Sequence, residues 1–493
     1  MTEINFFIKC LLTIFGAKFN FMKNVISFKL LVYCSLILIL ISCNNNNKEI
    51  PITNEDVIVC GKITNPTDSF IVICDDTIKV QSDGQFYTKR KFKKLGYCKL
   101  YYNNEYTNLY IENGDSLYIT FDTKQFHETM HYTGKGSEKN NYLAACILNK
   151  KLEQKALKPN NLYQLEPNNF RYKLDSIKNT KLSVFKRFLD TSSHHISEKF
   201  KKFEESKIIY TWASTLLRYP LVYEYNNKSG INISDAYYSF LKDINIEDTN
   251  LVSNLREYDE FIQMYISYLV NQKYKQDTSL KTPYIVLSYN VIKEKISNYK
   301  LKEYLLYNNL LNEIQISGIN ENTDSLLNDY KLLSKNNEHI KKIQEEYSKW
   351  VKLAKGNTAP DIKLVDNKGD TILLSSFKGK YVYIDVWATW CGPCRMEMPH
   401  FDKLKEKFKN KNITFVSVSV DHNIESWKKF IKEKSMKGNQ YIAIGGFGSD
   451  IVQKYNIYTI PRFILIDKEG KIINVNAPRP SSKEIHEVLT SLI

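Results

Sequence analysis

Glycine and proline are scarce in this chain, 18 and 12 among 493 residues, and between about Ser137 and Leu353 glycine almost disappears. A supply that thin of the residues that punctuate turns excludes collagenous and low-complexity architectures, and it favours long helices over that stretch. No internal repeat of fixed period is present. A concentrated block of basic residues is also missing: Lys and Arg outnumber Asp and Glu by 69 to 54, a formal charge of +15, yet the lysines are scattered along polar helical faces. A basic excess of this kind fits an anionic membrane surface better than a nucleic acid, and no nucleic-acid partner is expected. What remains is ample for folding, since 43 % of residues are apolar and 13 % aromatic. At roughly 100 to 200 residues per domain, the length implies two to four folded units.

The N-terminal segment reads as a leader. Met22-Lys23-Asn24 and Lys29 precede an apolar run from Leu30 to Ile41, and Leu40-Ile41-Ser42-Cys43 follows as a lipobox before four asparagines. That run is shorter than the ~20 residues a spanning helix needs, so a cleaved signal is favoured over an uncleaved anchor. The segment resembles a bacterial lipoprotein signal, with Cys43 as the lipidated first residue of the mature chain. Met22 makes a better start than Met1, and residues 1–21 are set aside from the fold. The expected location is the cell envelope, lipid-anchored and facing the periplasm, and the absence of an acidic run over Asn44 to Lys48 weakly favours that side over the cell surface.

Three patterns follow, which predict a multidomain fold. From residue 51 to 125 the apolar residues alternate, as in Val57 to Cys60, Phe70 to Cys74 and Leu117-Ile119-Phe121, between turn signals at Ser82-Asp83-Gly84 and Asn113-Gly114-Asp115; this predicts a small antiparallel β domain of sandwich type. From 126 to 353 the period becomes helical, with Leu174, Ile177, Val184, Phe185 and Phe188 on one face and Phe203, Ile209, Trp212 and Leu216 on another. The aromatic stripes of this all-α region are read as core, with a peptide-binding groove as the alternative. From 356 to 493 strand and helix alternate, predicting an α/β domain. The leader occupies 1–43 and a linker 44–50.

Within the third unit, Trp387-Ala388-Thr389-Trp390-Cys391-Gly392-Pro393-Cys394 sits between a strand expected over Tyr381 to Val386 and a helix expected over Pro393 to Lys409. Two cysteines three apart can hold zinc, form a structural bridge or exchange electrons. Zinc needs two further ligands, but the unit has no second such pair, and His400 and His422 are isolated. At a strand-to-helix junction, the unpaired amides of the helix N-terminus stabilise a thiolate on the first cysteine. Cys391 is therefore the expected nucleophile and Cys394, one turn later, the resolving thiol, with Gly392-Pro393 setting a tight spacing.

With Asp385 before it, Pro399 after it and the later Thr459-Ile460-Pro461, this stretch resembles the TlpA/ResA-like family of membrane-tethered thiol–disulfide oxidoreductases of thioredoxin fold, over somewhat more than a quarter of the chain. The resemblance implies a cis-proline loop at Ile460-Pro461 facing the cysteines, and a partner groove shaped by Trp390, Gly392, Pro393, Ile460 and Pro461. It implies further that Asp385 corresponds to a buried proton-relaying aspartate and Glu397 to an acid near the site. A carboxyl buried beside the pair would have a raised pKa and could take the proton of Cys394. Asp385 is read as that base and Glu397 as a modulator or partner-facing group, an ordinary solvated helix residue being the alternative. The β and helical units are loosely similar to N-terminal extensions of lipoprotein thioredoxins, and no functional residue is carried over from them.

No dissociable cofactor is expected, because the dithiol carries two electrons. The expected partners are periplasmic protein thiols and disulfides, with a membrane protein as electron donor. Gly-Pro between the cysteines favours a reducing poise near the about −270 mV of thioredoxin over the about −120 mV of a strong oxidant. A reductase acting on wrongly formed disulfides or on apocytochrome c is favoured, and three alternatives stand beside it. They are a disulfide oxidase or isomerase, a client-binding module over the first 350 residues with the redox unit as its effector, and a peroxidase. Cys60, Cys74, Cys98 and Cys146 remain: they form either disulfides, with Cys60 to Cys74 the expected pair, or free thiols.

Overall fold

The computed structural model describes residues 56–493 except Lys94, 157–158, 228–229, 278 and 280. The expected leader, Cys43 and the linker over 44–50 lie outside the described residues.

The first unit holds β1 (Val57–Thr64), β2 (Phe70–Ile73), β3 (Asp76–Lys79), β4 (Gln85–Arg90), β5 (Gly96–Tyr102), β6 (Glu105–Ile111), β7 (Ser116–Asp122), α1 (Phe126–Thr129), β8 (His131–Lys135) and most of α2 (Ser137–Ala156). The strands form two four-stranded sheets, ordered β4-β1-β7-β8 and β3-β2-β5-β6. Alternation along β1 turns Val57, Val59 and Ile63 inward, where they share one core with Ile71, Ile73, Leu100, Leu109, Leu117 and Ile119 from both sheets.

This unit departs from expectation in three respects. β1 and β7 pair in parallel, so the sheet they share is mixed. The β unit continues past residue 125, because β8 pairs antiparallel with β7. β8 has a single buried position and so lacks the alternation that marks a strand. It approaches β7 so closely at Gly134, φ +90°, that a Cβ there would lie 2.1 Å from the Ser116 carbonyl oxygen. Finally, the expected Cys60–Cys74 bridge is not formed. Cys60 is on β1 in one sheet, with its thiol donating to the Leu117 carbonyl at 3.7 Å, whereas Cys74 follows β2 in the other sheet and is bonded to Cys98 of β5. β1 and β2 are next to each other in the chain but lie in different sheets.

The second unit begins with helices α3 (Pro167–Thr191), α4 (Glu198–Asn227), α5 (Arg256–Gln276), α6 (Tyr284–Lys295), α7 (Tyr299–Ser317), α8 (Glu321–Leu333) and α9 (Asn337–Val351). Aromatic rungs fill its interior: Phe170 stacks on Tyr219 at 4.0 Å, Tyr210 meets Tyr258 edge-on at 5.0 Å, and Phe203, Trp212 and Leu216 are buried. Gly318 ends α7 in a left-handed conformation, φ +82°, and any Cβ there would come within 2.9 Å of the Trp350 ring of α9.

The same unit continues as β9 (Lys363–Asp366), β10 (Thr371–Leu373), β11 (Tyr381–Trp387), α10 (Gly392–Lys407), β12 (Ile413–Ser419), α11 (Ile424–Glu433), β13 (Asn439–Ile442), α12 (Asp450–Lys454), β14 (Arg462–Ile466), β15 (Ile472–Asn474) and α13 (Lys483–Leu492). They build one seven-stranded sheet, ordered β10-β9-β13-β12-β11-β14-β15, in which β11, β12 and β13 run parallel and β14 antiparallel to β11. β11 is an interior strand between β12 and β14 and is buried on both faces, which is why its sequence reads as an apolar run instead of an alternation. This is the thioredoxin-like arrangement that the sequence implied.

Peptide mapping without reduction is expected to recover a Cys74–Cys98 linked pair and no Cys60–Cys74 pair. By loop closure over 24 residues, Cys98→Ser is expected to destabilise the β unit by about 3 kcal/mol, read by urea denaturation.

Candidate active site

The chain leaves the C-terminal end of β11 and turns directly into α10, placing Cys391 at the N-cap of the helix. Its Sγ accepts the Cys394 amide at 3.2 Å, so one of the orphan donors of the first helical turn is aimed at the sulfur. Cys391 and Cys394 are joined as a disulfide with Cα atoms 5.3 Å apart, and both are buried. Gly392 and Pro393 make the first turn; a Cβ at Gly392 would meet nothing within 4 Å, which leaves that approach open.

Opposite the pair lies the loop between α12 and β14. The Ile460–Pro461 peptide is cis, and the Ile460 carbonyl oxygen is 3.8 Å from Cys391 Sγ. Trp390 is 62 % exposed and lies near the Phe447 ring, 6.2 Å between centroids. The residues expected to shape a partner groove are thus gathered around one sulfur.

The two acids differ in their surroundings. Asp385 lies inside β11, opposite Ser417 of β12 and Phe463 of β14, with Ser417 Oγ donating to its Oδ2 at 3.2 Å. Burial pushes its carboxyl up to about 7; the neighbouring Glu397 adds to the rise, while the Ser417 hydrogen bond and Lys405 offset part of it. Glu397 is neither partner-facing nor an ordinary solvated residue. It is 8 % exposed, and its carboxylate accepts the Ser481 amide at 3.0 Å and the Ser481 hydroxyl at 2.9 Å, with Arg479 at 3.8 Å. Those donors lie in the segment before α13, with Ser481 84 residues further along the chain, so spacing within α10 could not reveal them.

Sequence reasoning also missed Asp421. Its buried carboxylate accepts the Thr389 amide at 2.9 Å, the Thr389 hydroxyl at 2.8 Å and the Ser419 hydroxyl at 2.6 Å, holding the turn that delivers Cys391. An acid just past the C-terminal end of β12, beside the end of β11, was a signal that could have found it, since sites of parallel sheets collect there. Among the described residues no group of three or more His, Cys, Asp or Glu could hold a metal.

A carboxyl protonated in the folded state up to about pH 7 but released near 3.8 when unfolded lowers stability as pH climbs through that interval. Asp385→Asn is therefore expected to exceed the parent stability by roughly 2–4 kcal/mol at pH 8 and to match it at pH 4, in parallel urea titrations of the oxidised chain.

Known proteins share this part of the chain. Residues 354–492 match the Redoxin family model. The thiol-disulfide oxidoreductase ResA of Bacillus cereus is 33 % identical over 149 residues, covering 30 % of this chain and 84 % of that protein. ResA of Bacillus subtilis is 28 % identical over 28 % of this chain and 75 % of its own length. The crystal structure of the thioredoxin domain of a thiol-disulfide oxidoreductase from Bacteroides vulgatus is 37 % identical, covers 28 % of this chain and 97 % of its own, and gives a TM-score of 0.26. With a dithiol pair on the helix of a thioredoxin-like sheet and relatives that match it over most of their length, this chain belongs, through its C-terminal domain, to the ResA family of thiol–disulfide oxidoreductases.

Proposed function

We propose that this chain is a lipid-anchored, periplasm-facing reductase of disulfides in exported proteins, apocytochrome c among its candidate clients. The observation that carries the reading is the Cys391–Cys394 couple at the N-terminus of α10, against the Ile460 carbonyl and beside the exposed Trp390. The Cys391 thiolate attacks one sulfur of a client disulfide, forming a mixed disulfide and releasing the other client sulfur, which takes up a proton. Cys394 then gives its proton to Asp385 and attacks Cys391 Sγ. The Cys391–client bond breaks, the second client sulfur takes up a proton so that the client leaves as a dithiol, and the Cys391–Cys394 disulfide forms, two electrons having passed to the client. A carboxyl poised near 7 is matched to that proton transfer at neutral pH. Glu397, tied to Ser481, acts on this step through its charge near Asp385. A membrane-bound dithiol donor returns the couple to its reduced form.

Anchorage and side of the membrane rest on the leader sequence alone, with Cys43 as the lipidated residue. Cys43→Ser is expected to abolish incorporation of labelled palmitate and to release the protein from the membrane fraction; retained label would remove the lipoprotein reading.

Direction is decided by the reduction potential of the full chain in mild detergent, equilibrated against a thiol buffer. A value near or below about −270 mV is expected. A value near the about −180 mV of protein disulfide isomerase, or higher, would assign the same residues to an oxidase or isomerase.

A further inference from the structure

The loop that faces Cys391 is held at both ends by the helical region. On one side of the Ile460–Pro461 peptide, the Tyr458 hydroxyl donates to both carboxylate oxygens of Glu346 on α9, at 2.9 and 2.8 Å. Glu346 is 4 % exposed, and its other partner is Lys349, one turn further along α9, at 2.8 Å. On the other side, Arg462 sends Nη2 to the Ile316 carbonyl at 2.8 Å and lays its guanidinium over the Trp350 ring at 5.8 Å. Ile316 lies in the last turn of α7, where unpaired carbonyls and the negative end of the helix dipole favour a cation. The two helices are locked together where Gly318 packs on Trp350.

Stability alone does not account for Arg462. It is 3 % exposed, burial pushes its pKa down to about 10, and Nη1 finds no acceptor among the described residues. An apolar side chain of similar volume would fill that space without the desolvation cost of a charge. The arginine does provide a directional tie from the residue after Pro461 to a fixed helix end.

We infer that Glu346 and Arg462 are positioning residues for the redox couple: by clamping Tyr458 and the start of β14 to α9 and α7, the helical region fixes the Ile460 carbonyl against Cys391. Three of the clamping residues, Ile316, Glu346 and Trp350, precede the matched domain, which begins at residue 354. The helical region is thereby part of the active site's framework, and this deepens the reductase reading by naming what sets the nucleophile's surroundings. Cys391 Sγ is 3.8 Å from the Ile460 carbonyl oxygen in the disulfide form, and a reduced thiol held in that place would be within its reach. An S–H donating to that oxygen favours the protonated thiol, so a released loop lets the thiolate form at lower pH.

The test is the pH dependence of Cys391 alkylation by iodoacetamide in the reduced full chain. The variants are Tyr458→Phe, Arg462→Lys and the double substitution, chosen because both changes preserve charge and leave the midpoint to report position. The double variant is expected to titrate about half a pH unit below the parent, with each single variant between them. A folded double variant whose midpoint stays at or rises above the parent value would overturn the inference. Should the double variant fail to fold, Tyr458→Phe, which removes one hydroxyl, decides on the same readout. No client turnover enters the measurement, so a chain that shows the shift yet reduces no protein disulfide would lose the reductase reading and keep the clamp.

Discussion

The surroundings of the Cys391–Cys394 pair depend on the register of β11 between β12 and β14. Pairing Asp385 with Ser417 on one side and Phe463 on the other buries a carboxyl in the middle of an apolar strand, close enough to sense Glu397 on the helix that carries Cys394. The same register ends β11 and β12 together, so that Asp421 can reach back to Thr389 and fix the turn into α10. It also brings the start of β14 alongside Val386, which sets Ile460 and Pro461 opposite the cysteines. A slip of one residue would turn Asp385 to the other face of the sheet and its apolar neighbours with it.

What the sequence made legible was local. The strand and helix that flank the cysteine pair, the N-cap position of Cys391 and the alternation of β1 all follow from short-range patterns, because burial on one or both faces of an element imposes a period on its residues. What stayed hidden was set by partners distant in the chain. Glu397 is satisfied by Ser481, Thr389 by Asp421, and Cys74 by a cysteine on β5, which is adjacent to β2 in the sheet but three strands further along the chain, not by the one on the preceding strand. β8 escaped notice because its outer positions are exposed and its glycine breaks the alternation.

The helical region changes meaning in this light. Its aromatic interior is ordinary core, and its last helix runs into the α/β unit over a few residues, with Gly356 donating to Ile472 and Ile472 to Asn357 across the junction. A client-binding role for it would have to be exercised while α7 and α9 keep hold of the loop beside the cysteines. Specificity and reactivity would then share one set of contacts, and altering one would be felt by the other.

The Cys74–Cys98 bond gives this chain a second disulfide, distinct from the Cys391–Cys394 pair. Cys74 is 3 % exposed and Cys98 only partly accessible, within a sandwich core that closes over them. A folded copy therefore shields this bond from thiols in its surroundings, and only opening of the β unit would present it to them.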